Sequence, residues 1–349
     1  MRIQGTDLFC GVGGLTHGMR LEGIDISHGI DTDPWCHYPF EANNDSTFIL
    51  EDIRNLNGKD LSNLFSKNNT KLLAGCAPCQ PFSNYVKANV KEKDSKWSLL
   101  SEFSRLIKET RPELVTMENV VRLKRHDIYS DFINELKSMG YWITEREAYF
   151  PDYGVPQIRT RLILLASLLG PILLEPPKYD PEEYRTVKDA ISHLPKIEAG
   201  ETSKYDTLHR SSQMSEKNFK RIRASKPGGT WRDWNKNLVT KCHTKEKGKS
   251  YHNVYGRMEW DKPSPTITTR CTGFGNGRFG HPEQDRALSL REAALLQTFP
   301  EYYSFDKDEK NLKMTPIARL IGNALPVDIG KVLARSFKAH LRRYGYDGT

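Results

Sequence analysis

Short apolar segments alternate with longer amphipathic stretches along much of the 349-residue chain. The apolar segments have the length of buried strands, and the stretches between them repeat their apolar residues at helical spacing. This alternation predicts an α/β fold. The predicted strands cover residues 2–9, 24–30, 47–50, 71–75, 113–117, 141–149 and 162–167, and the predicted helices cover 15–21, 97–108, 127–139, 289–297 and 328–342.

Two stretches lack this periodicity. Residues 84–96 are polar and rich in lysine, and they predict a mobile lid after the fourth strand. Residues 180–300 follow a proline-rich segment and contain many turn signals but no second glycine loop of the nucleotide type. Within that region, Ser289 and Glu292 form a capping-box pattern, which predicts the start of a helix.

Positive charge is concentrated in one segment. The whole chain has a net charge of +8, and residues 210–250 alone carry 12 Lys/Arg against 3 Asp/Glu. Such a segment is typical of a surface that binds a polyanion such as nucleic acid. A merely solvated basic surface is the alternative.

Composition also indicates the cellular compartment in which the protein is expected. No stretch approaches the length of a membrane span. The first predicted strand follows Met1 almost at once, which leaves no room for a signal peptide. Six cysteines in a chain of this length indicate a reducing compartment, so we expect a cytoplasmic protein.

The first predicted strand runs into a glycine-rich turn, CGVGG at residues 10–14, and then into a helix. Strand, glycine turn and helix together are typical of a nucleotide-type cofactor site. Asp31 ends the second strand, where a ribose would be held, and Asp52 with Ile53 follows the third, where they could contact an adenine. Each acid taken alone is also compatible with a turn or helix cap.

A candidate nucleophile, Cys79, follows the fourth strand on a proline-stiffened loop in the sequence LLAGCAPCQPFS, residues 72–83. With Cys76 it forms a C-x-x-C pair, which could also mean metal or redox chemistry, and a packed, inert cysteine is a further alternative. The chain contains no second C-x-x-C, which disfavours a zinc site. Glu118, after the fifth strand, is a candidate acid, and taken alone it is also compatible with a carboxylate that caps a following helix.

Taken in chain order, these motifs resemble those of the DNA cytosine-5 methyltransferases, and specifically the bacterial type II modification methylases. The resemblance covers nearly the whole chain. The matching motifs are DLFCGVGG (7–14), Asp31, Asp52-Ile53, GCAPCQPFS (75–83), Glu118-Asn119-Val120, QIRTR (157–161), LSLREAALLQTFP (288–300) and IGNALP (321–326).

The resemblance implies a fold and a division of the chain. It implies a doubly wound, Rossmann-like sheet of the S-adenosylmethionine-dependent methyltransferases, with a smaller, loop-rich target-recognition domain. The implied catalytic domain covers residues 1–175, the DNA-reading domain 176–284, and residues 285–349 return to the catalytic domain.

The resemblance also implies covalent catalysis. Cys79 would add to carbon 6 of a cytosine, which activates carbon 5 for methylation by S-adenosylmethionine. Glu118 would bind ring N3 and the exocyclic amine, and Arg161 would reach the base O2. Arg159 would support the cysteine loop and the base. The target base must leave the DNA stack to be reached.

Ten residues stand at the positions of the family's cofactor contacts, and nine of them also match the family in residue type. Thr32 stands where the family often has a bulky side chain that stacks on the adenine ring, so it departs from the pattern. No metal is implied. The implied contacts to S-adenosylmethionine are Phe9, Gly11, Gly13, Asp31, Thr32, Asp52, Ile53, Pro78, Leu99 and Asn323.

The expected partner is double-stranded DNA, with a restriction endonuclease as the functional counterpart and a monomer as the expected state. One alternative is methylation of transfer RNA, which the long basic segment disfavours. Another is a catalytically silent DNA-binding relative, which the intact catalytic motifs disfavour. A nicotinamide oxidoreductase built on the glycine loop would leave Pro-Cys-Gln unexplained.

Overall fold

A computed structural model describes residues 2–78 and 90–346, apart from the side chains of residues 90–98, 247 and 309. The chain forms two compact units. The sheet unit contains Met1–Tyr153, Thr160–Lys178 and Leu325–Thr349, and the loop unit contains Gly154–Arg159 and Tyr179–Ala324. Residues 285–324 therefore pack with the loop unit, while the functional boundaries of a DNA-reading domain remain a prediction.

The sheet unit is built on a seven-stranded sheet in the order β3-β2-β1-β4-β5-β7-β6. Strands β1 to β5 run parallel to one another, and β7 is antiparallel to both β5 and β6. The predicted α/β class is confirmed. The strands are β1 Ile3–Leu8, β2 Asp25–Asp31, β3 Thr47–Leu50, β4 Thr70–Gly75, β5 Leu114–Asn119, β6 Trp142–Tyr149 and β7 Thr160–Ser167.

The helices of the sheet unit cover the sheet, and the remaining helices belong to the loop unit. Helix α4 contributes Phe103, Leu106 and Ile107 to a core that also contains residues of β4, β5 and β7, because its apolar side chains recur at helical spacing. The helices are α1 Gly14–Leu21, α2 His37–Asn44, α3 Gly58–Ser62, α4 Val90–Thr110, α5 Asp127–Ser138, α6 Val187–Ile191, α7 Glu216–Ala224, α8 Glu246–Lys249, α9 Leu290–Leu296, α10 Met314–Asn323 and α11 Val327–Arg343.

The last helix, α11, packs against α1, so the two ends of the chain share one core. Two glycines permit the close contact. A Cβ at Gly18 would stand 2.1 Å from the Val327 carbonyl oxygen, and one at Gly330 would stand 2.6 Å from that of Leu15. Any larger residue at either position would push the two helices apart.

The structure corrects the prediction of a loop over residues 84–96. Helix α4 begins at Val90, so residues 90–96 are helical, and residues 84–89 lie outside the described residues. The segment VKEKDSK lacks an apolar repeat, but lysine and glutamate are good helix formers. A lack of apolar periodicity was therefore the wrong criterion for a loop at this position.

The loop unit contains short helices, turns and isolated β-bridges. An aromatic cluster that includes Trp231, Trp234 and Phe274 forms part of its core. The predicted capping box at the start of α9 is confirmed, since the Glu292 N–H donates to Ser289 Oγ at 3.0 Å and the Ser289 N–H donates to Glu292 Oε2 at 2.8 Å.

Glu292 also forms a buried ion pair. Arg286 donates to its two carboxylate oxygens at 2.7 and 2.8 Å, and both side chains are 1% exposed. Burial alone would raise the pKa of Glu292, but the hydrogen bonds and charge of Arg286 hold it at about 2. Burial lowers the pKa of the adjacent His281 to about 4.

We expect Glu292→Gln to lower the free energy of unfolding by about 3–5 kcal/mol, because Arg286 would remain buried without a counter-charge. Urea unfolding at pH 7 measures the loss. In the wild type, the stability that ionised Glu292 contributes is present above pH 4.5 and is lost as the pH falls towards 2. Because the pKa of His281 is also lower in the folded state, stability falls further as the pH drops from 6.5 to 4.

The control is Glu283→Gln, which removes an exposed carboxylate 2.8 Å from Lys196 in the same unit. Solvent screens that pair, so its loss should leave the urea midpoint unchanged. Equal midpoints for the two variants would contradict a stabilising role for the buried pair.

Candidate active site

The glycine turn after β1 has a backbone that few side chains tolerate. Phe9, Gly11 and Gly13 have φ values of 61°, 53° and 83°. Gly13 is the N-cap of α1, and the space beside Gly11 is open, with no heavy atom within 4 Å of where a Cβ would stand. This turn can therefore bring its backbone close to a ligand, as the glycines predict.

Asp31, at the end of β2, stabilises the glycine turn by a hydrogen bond. Its carboxylate accepts the Gly11 N–H at 2.9 Å and the Asp33 N–H at 3.0 Å. Burial raises the pKa of Asp31, and these backbone hydrogen bonds oppose the rise. A carboxylate has about four acceptor positions, so capacity for ribose hydroxyls remains. The neighbouring Thr32 is exposed.

Asp52 and Ile53, which follow β3 after Glu51, differ in exposure. Asp52 caps a short turn by accepting the Arg54 N–H at 2.9 Å, and it also forms an ion pair with the Arg54 side chain. The hydrogen bond from Arg54 lowers the pKa of Asp52. Ile53 is only 3% exposed and packs in the core of the sheet unit. Asp52 therefore caps this turn, as an acidic residue in such a position commonly does. The contacts of Asp52 and Ile53 with an adenine remain a prediction.

The carboxyl ends of β1 to β5 lie at one edge of the sheet because these strands are parallel. That edge carries the glycine turn, Asp31, Asp52, Pro78 and Glu118. Leu99 lies on α4 and packs against the core of the sheet unit. Cys79 follows Pro78 directly but lies outside the described residues.

Glu118 and Arg161 form an ion pair across two neighbouring strands. Glu118 on β5 is opposite Ile163 on β7, and Arg161 is two residues from Ile163, so it lies on the same face. Arg161 Nε is 3.1 Å from Glu118 Oε1, and the two side chains are 20% and 10% exposed. The structure therefore brings together two of the four predicted catalytic residues.

Asn119 connects the ends of β4 and β5. Its side-chain amide donates to the Ala77 carbonyl at 3.0 Å, and the residue is 3% exposed. The chain continues from Ala77 through Pro78 to Cys79. Asn119 is thus suited to holding the start of the cysteine loop. The family motif marks this residue, but the sequence alone assigned it no role.

Arg159 and Asn323 belong to the loop unit, whereas the other predicted site residues within the described part of the chain belong to the sheet unit. Arg159 is 6% exposed, and Asn323 is exposed at the end of α10. Gln157, also in the QIRTR motif, is fully buried and donates to Gln297 Oε1 at 2.8 Å. That motif therefore also stabilises the loop unit.

Comparison with known proteins identifies the family. The model of the C-5 cytosine-specific DNA methylases matches residues 3–339. The chain belongs to this family. It is 51% identical over 338 residues to the type II methylase M.HgiDII of Herpetosiphon aurantiacus, which spans 96% of this chain and 95% of that protein. The type II methyltransferase M1.HphI of Haemophilus parahaemolyticus is 30% identical over 96% of this chain and 87% of its own length.

Solved structures show the same fold at lower identity. A DNA modification methyltransferase encoded within an Escherichia coli prophage superposes with a TM-score of 0.71 at 22% identity, over 97% of this chain and 99% of that chain. The S. pombe Dnmt2 methyltransferase gives a TM-score of 0.60 at 20% identity, over 98% and 99%.

As a C-5 cytosine-specific DNA methylase, the protein transfers a methyl group to cytosine in DNA, and the family and fold imply S-adenosylmethionine as the donor. The predicted family, enzyme class and DNA substrate are confirmed. Within the described residues, no helix of this methylase is both long and apolar enough to cross a membrane. The individual site residues remain predictions.

We expect Asn119→Ala to lower the turnover of this methylase by about 100-fold, because a shift of about 1 Å in a reacting group can cost that much. It also leaves the buried Ala77 carbonyl without its hydrogen bond, which costs about 1–3 kcal/mol of stability. Turnover is measured by transfer of tritiated methyl groups to DNA.

Thr116→Val is the matched control for Asn119→Ala. Thr116 is on the same strand, is fully buried, and donates to the Leu164 carbonyl at 3.1 Å. Its loss should affect stability but leave turnover near the wild-type value. If both variants lost turnover to the same extent, the loss in Asn119→Ala would come from lower stability, and a positioning role for Asn119 would be contradicted.

Proposed function

We propose that this methylase modifies C5 of one specific cytosine in a recognised double-stranded DNA sequence, through a transient bond between Cys79 and C6 of a flipped-out base. The observation that carries the proposal is the ion pair between Glu118 on β5 and Arg161 on β7, 3.1 Å apart. The residue after Glu118, Asn119, bonds the Ala77 carbonyl two residues before Cys79.

Each group has a defined task in this mechanism. The Cys79 thiolate attacks C6, and electron density moves towards ring N3 and O2. Glu118 donates a proton to N3 as this charge builds and accepts a hydrogen bond from the exocyclic amine, and Arg161 orients Glu118 and binds O2. The activated C5 then accepts the methyl group, the C5 proton is removed, and Cys79 departs. Arg159 would support the cysteine loop.

S-adenosylmethionine supplies the methyl group when it is bound. The residues of the sheet edge fit it, because the open space beside Gly11 allows close approach and the half-buried Asp31 carboxylate suits ribose hydroxyls. The proposed contacts are Phe9, Gly11, Gly13, Asp31, Thr32, Asp52, Ile53, Pro78, Leu99 and Asn323.

A trapping experiment tests the covalent route. Bisulfite sequencing of DNA from expressing cells first identifies the modified cytosine and its sequence context. A duplex with 5-fluorocytosine at that position should then form a complex that survives SDS, because fluorine cannot leave as the proton does. The same duplex with cytosine is the control. Normal methylation of cytosine without any trapped complex would contradict the adduct.

We also propose that the protein protects host DNA as the modification partner of a restriction endonuclease in the bacterial cytoplasm, and that it acts as a monomer. Its similarity to two proteins named type II methylases supports the first part. DNA from expressing cells should resist an endonuclease that cuts the methylated sequence. A dimer in light scattering at assay concentration would contradict the monomer.

A further inference from the structure

The loop unit contains a pocket of about 410 Å³ within and just after the basic segment of residues 210–250. Aromatic rings and a positive charge line it. His243, Lys245, Tyr251 and Tyr255 contribute to the wall, and Gly275 allows the Tyr255 ring to approach to 3.0 Å from where a Cβ would stand. Neither the cofactor residues nor the catalytic residues proposed above take part in this pocket.

His243 is held in one orientation by its neighbours. Its ring stacks on Trp231 with the ring centroids 4.5 Å apart and an angle of 9° between the planes. The edge of Tyr255 meets it at 6.0 Å and 90°. Trp231 is itself fixed, because its indole N–H donates to the Tyr251 carbonyl at 2.7 Å. This wall of the pocket is therefore preorganised.

The ring nitrogens of His243 have different environments. Nδ1 is 3.2 Å from the Gly248 carbonyl, which can only accept, so Nδ1 carries the proton. Nε2 of the neutral ring then presents a lone pair. Although His243 is 5% exposed, Nε2 has no hydrogen-bond partner among the described residues. A buried acceptor without a partner is uncommon, and Nε2 would gain one if a ligand with an N–H donor displaced the side chains that cover it.

We propose that this pocket takes up an unstacked nucleobase of the bound DNA, other than the target cytosine. The aromatic walls suit the face of a base, since stacking on such side chains is tolerant of sequence. Once the side chains that cover Nε2 of His243 move aside, this nitrogen would accept an N–H from the edge of the base, and Lys245 would contact the adjoining phosphate. This inference rests on the proposed function, the methylation of a flipped-out cytosine in duplex DNA. It adds a second base that leaves the stack when the protein binds.

Arg221 supports the choice of DNA over an uncharged aromatic ligand. Its guanidinium lies over the Tyr255 ring at 5.1 Å and over the Trp234 ring at 5.9 Å. The pocket wall is thus backed by fixed positive charge, in a segment with nine excess positive charges. An anionic strand would be attracted to this surface, whereas a neutral aromatic molecule would gain nothing from it.

The test combines substitutions in the pocket with abasic sites at single positions of the DNA. Duplexes containing the methylated sequence carry a single abasic site at each position in turn, with the target cytosine unchanged. Fluorescence anisotropy measures their binding to the wild type, to His243→Phe and to Tyr251→Ala. His243→Phe keeps the stack on Trp231 and removes Nε2. Tyr251 is 48% exposed, so Tyr251→Ala tests the wall without opening the core.

At one position, we expect the abasic site to weaken wild-type binding about 10-fold or more. The same abasic site should cost little in either pocket variant, because the contact has already been lost. A 2-aminopurine at that position should change fluorescence on binding to the wild type. Tyr205→Ala is the control, since Tyr205 is 78% exposed in the same unit and does not line the pocket.

Two failures can be distinguished. If the wild type methylates and binds its duplex but no position shows coupling to both pocket variants, the pocket is only a gap in packing and the inference is wrong. If the wild type methylates no duplex at all, the proposed function itself fails, and the inference fails with it.

Discussion

Cys79→Ser is expected to lower the turnover of methyl transfer by about 10⁴-fold or more. Carbon 5 of cytosine is a poor nucleophile until a strong nucleophile adds to carbon 6. A thiolate is accessible near neutral pH, since a free thiol has a pKa of ~8.5, whereas a serine hydroxyl stays protonated. Losses of this size are typical when the nucleophile of a covalent enzyme is removed. Transfer of tritiated methyl groups to DNA under single-turnover conditions measures the rate.

Cys76→Ser is the matched control, since it makes the same substitution three residues earlier in the same motif. Cys76 is half-buried, and its N–H donates to the Leu8 carbonyl at 3.4 Å, a contact that serine retains. This variant should keep nearly full turnover, and both variants should bind the duplex normally. Near-normal turnover of Cys79→Ser would refute the covalent mechanism, whatever the behaviour of Cys76→Ser.

Glu118→Gln is expected to lower turnover by about 10²–10⁴-fold, with a smaller effect on DNA affinity. Glutamine keeps the size and one acceptor oxygen of Glu118 but loses its negative charge and its capacity to exchange a proton with ring N3. It also leaves Arg161 without its partner at 3.1 Å. Turnover at saturating DNA and the dissociation constant of the same duplex separate the two effects.

Glu147→Gln is the control for charge at the sheet surface. Glu147 lies on β6 opposite Leu162 and is 52% exposed, and its partner Lys124 is 3.9 Å away. Screening by solvent makes that pair weak, so turnover should not change. A second check uses the double variant with Cys79→Ser, whose loss should be much smaller than the product of the two single losses. Multiplicative losses would mean that Glu118 acts independently of the adduct.

Local patterns were sufficient for most of the sheet unit. The seven predicted strands agree with the observed ones to within two residues at each end, and most of them were readable because a buried strand needs a continuous apolar run of defined length. The start of α9 was equally readable, since Ser289 and Glu292 satisfy each other within four residues. The helix over residues 90–96 was not predictable from apolar periodicity, because its lysine and glutamate residues favour a helix without forming an apolar repeat.

The candidate site was only partly predictable. Motifs marked Glu118 and Arg161 as residues of interest, but no local pattern shows that they meet. Their contact follows from the register of β5 against β7, which pairs Glu118 with Ile163. The contact of His243 with Trp231 is of the same kind, because the packing of the loop unit produces it and no repeat in the sequence marks it.

The amino-acid sequence by itself determined the α/β class, the cysteine and glycine motifs, the family to which they belong and the concentration of positive charge in one segment. All of these depend on residue type and short spacing. Only the tertiary structure decided that Asn119 bonds Ala77, that Arg161 lies 3.1 Å from Glu118 and that the loop unit contains an aromatic pocket. The physical reason is that these contacts join residues far apart in the chain, and strand register and side-chain packing fix them where local propensity cannot.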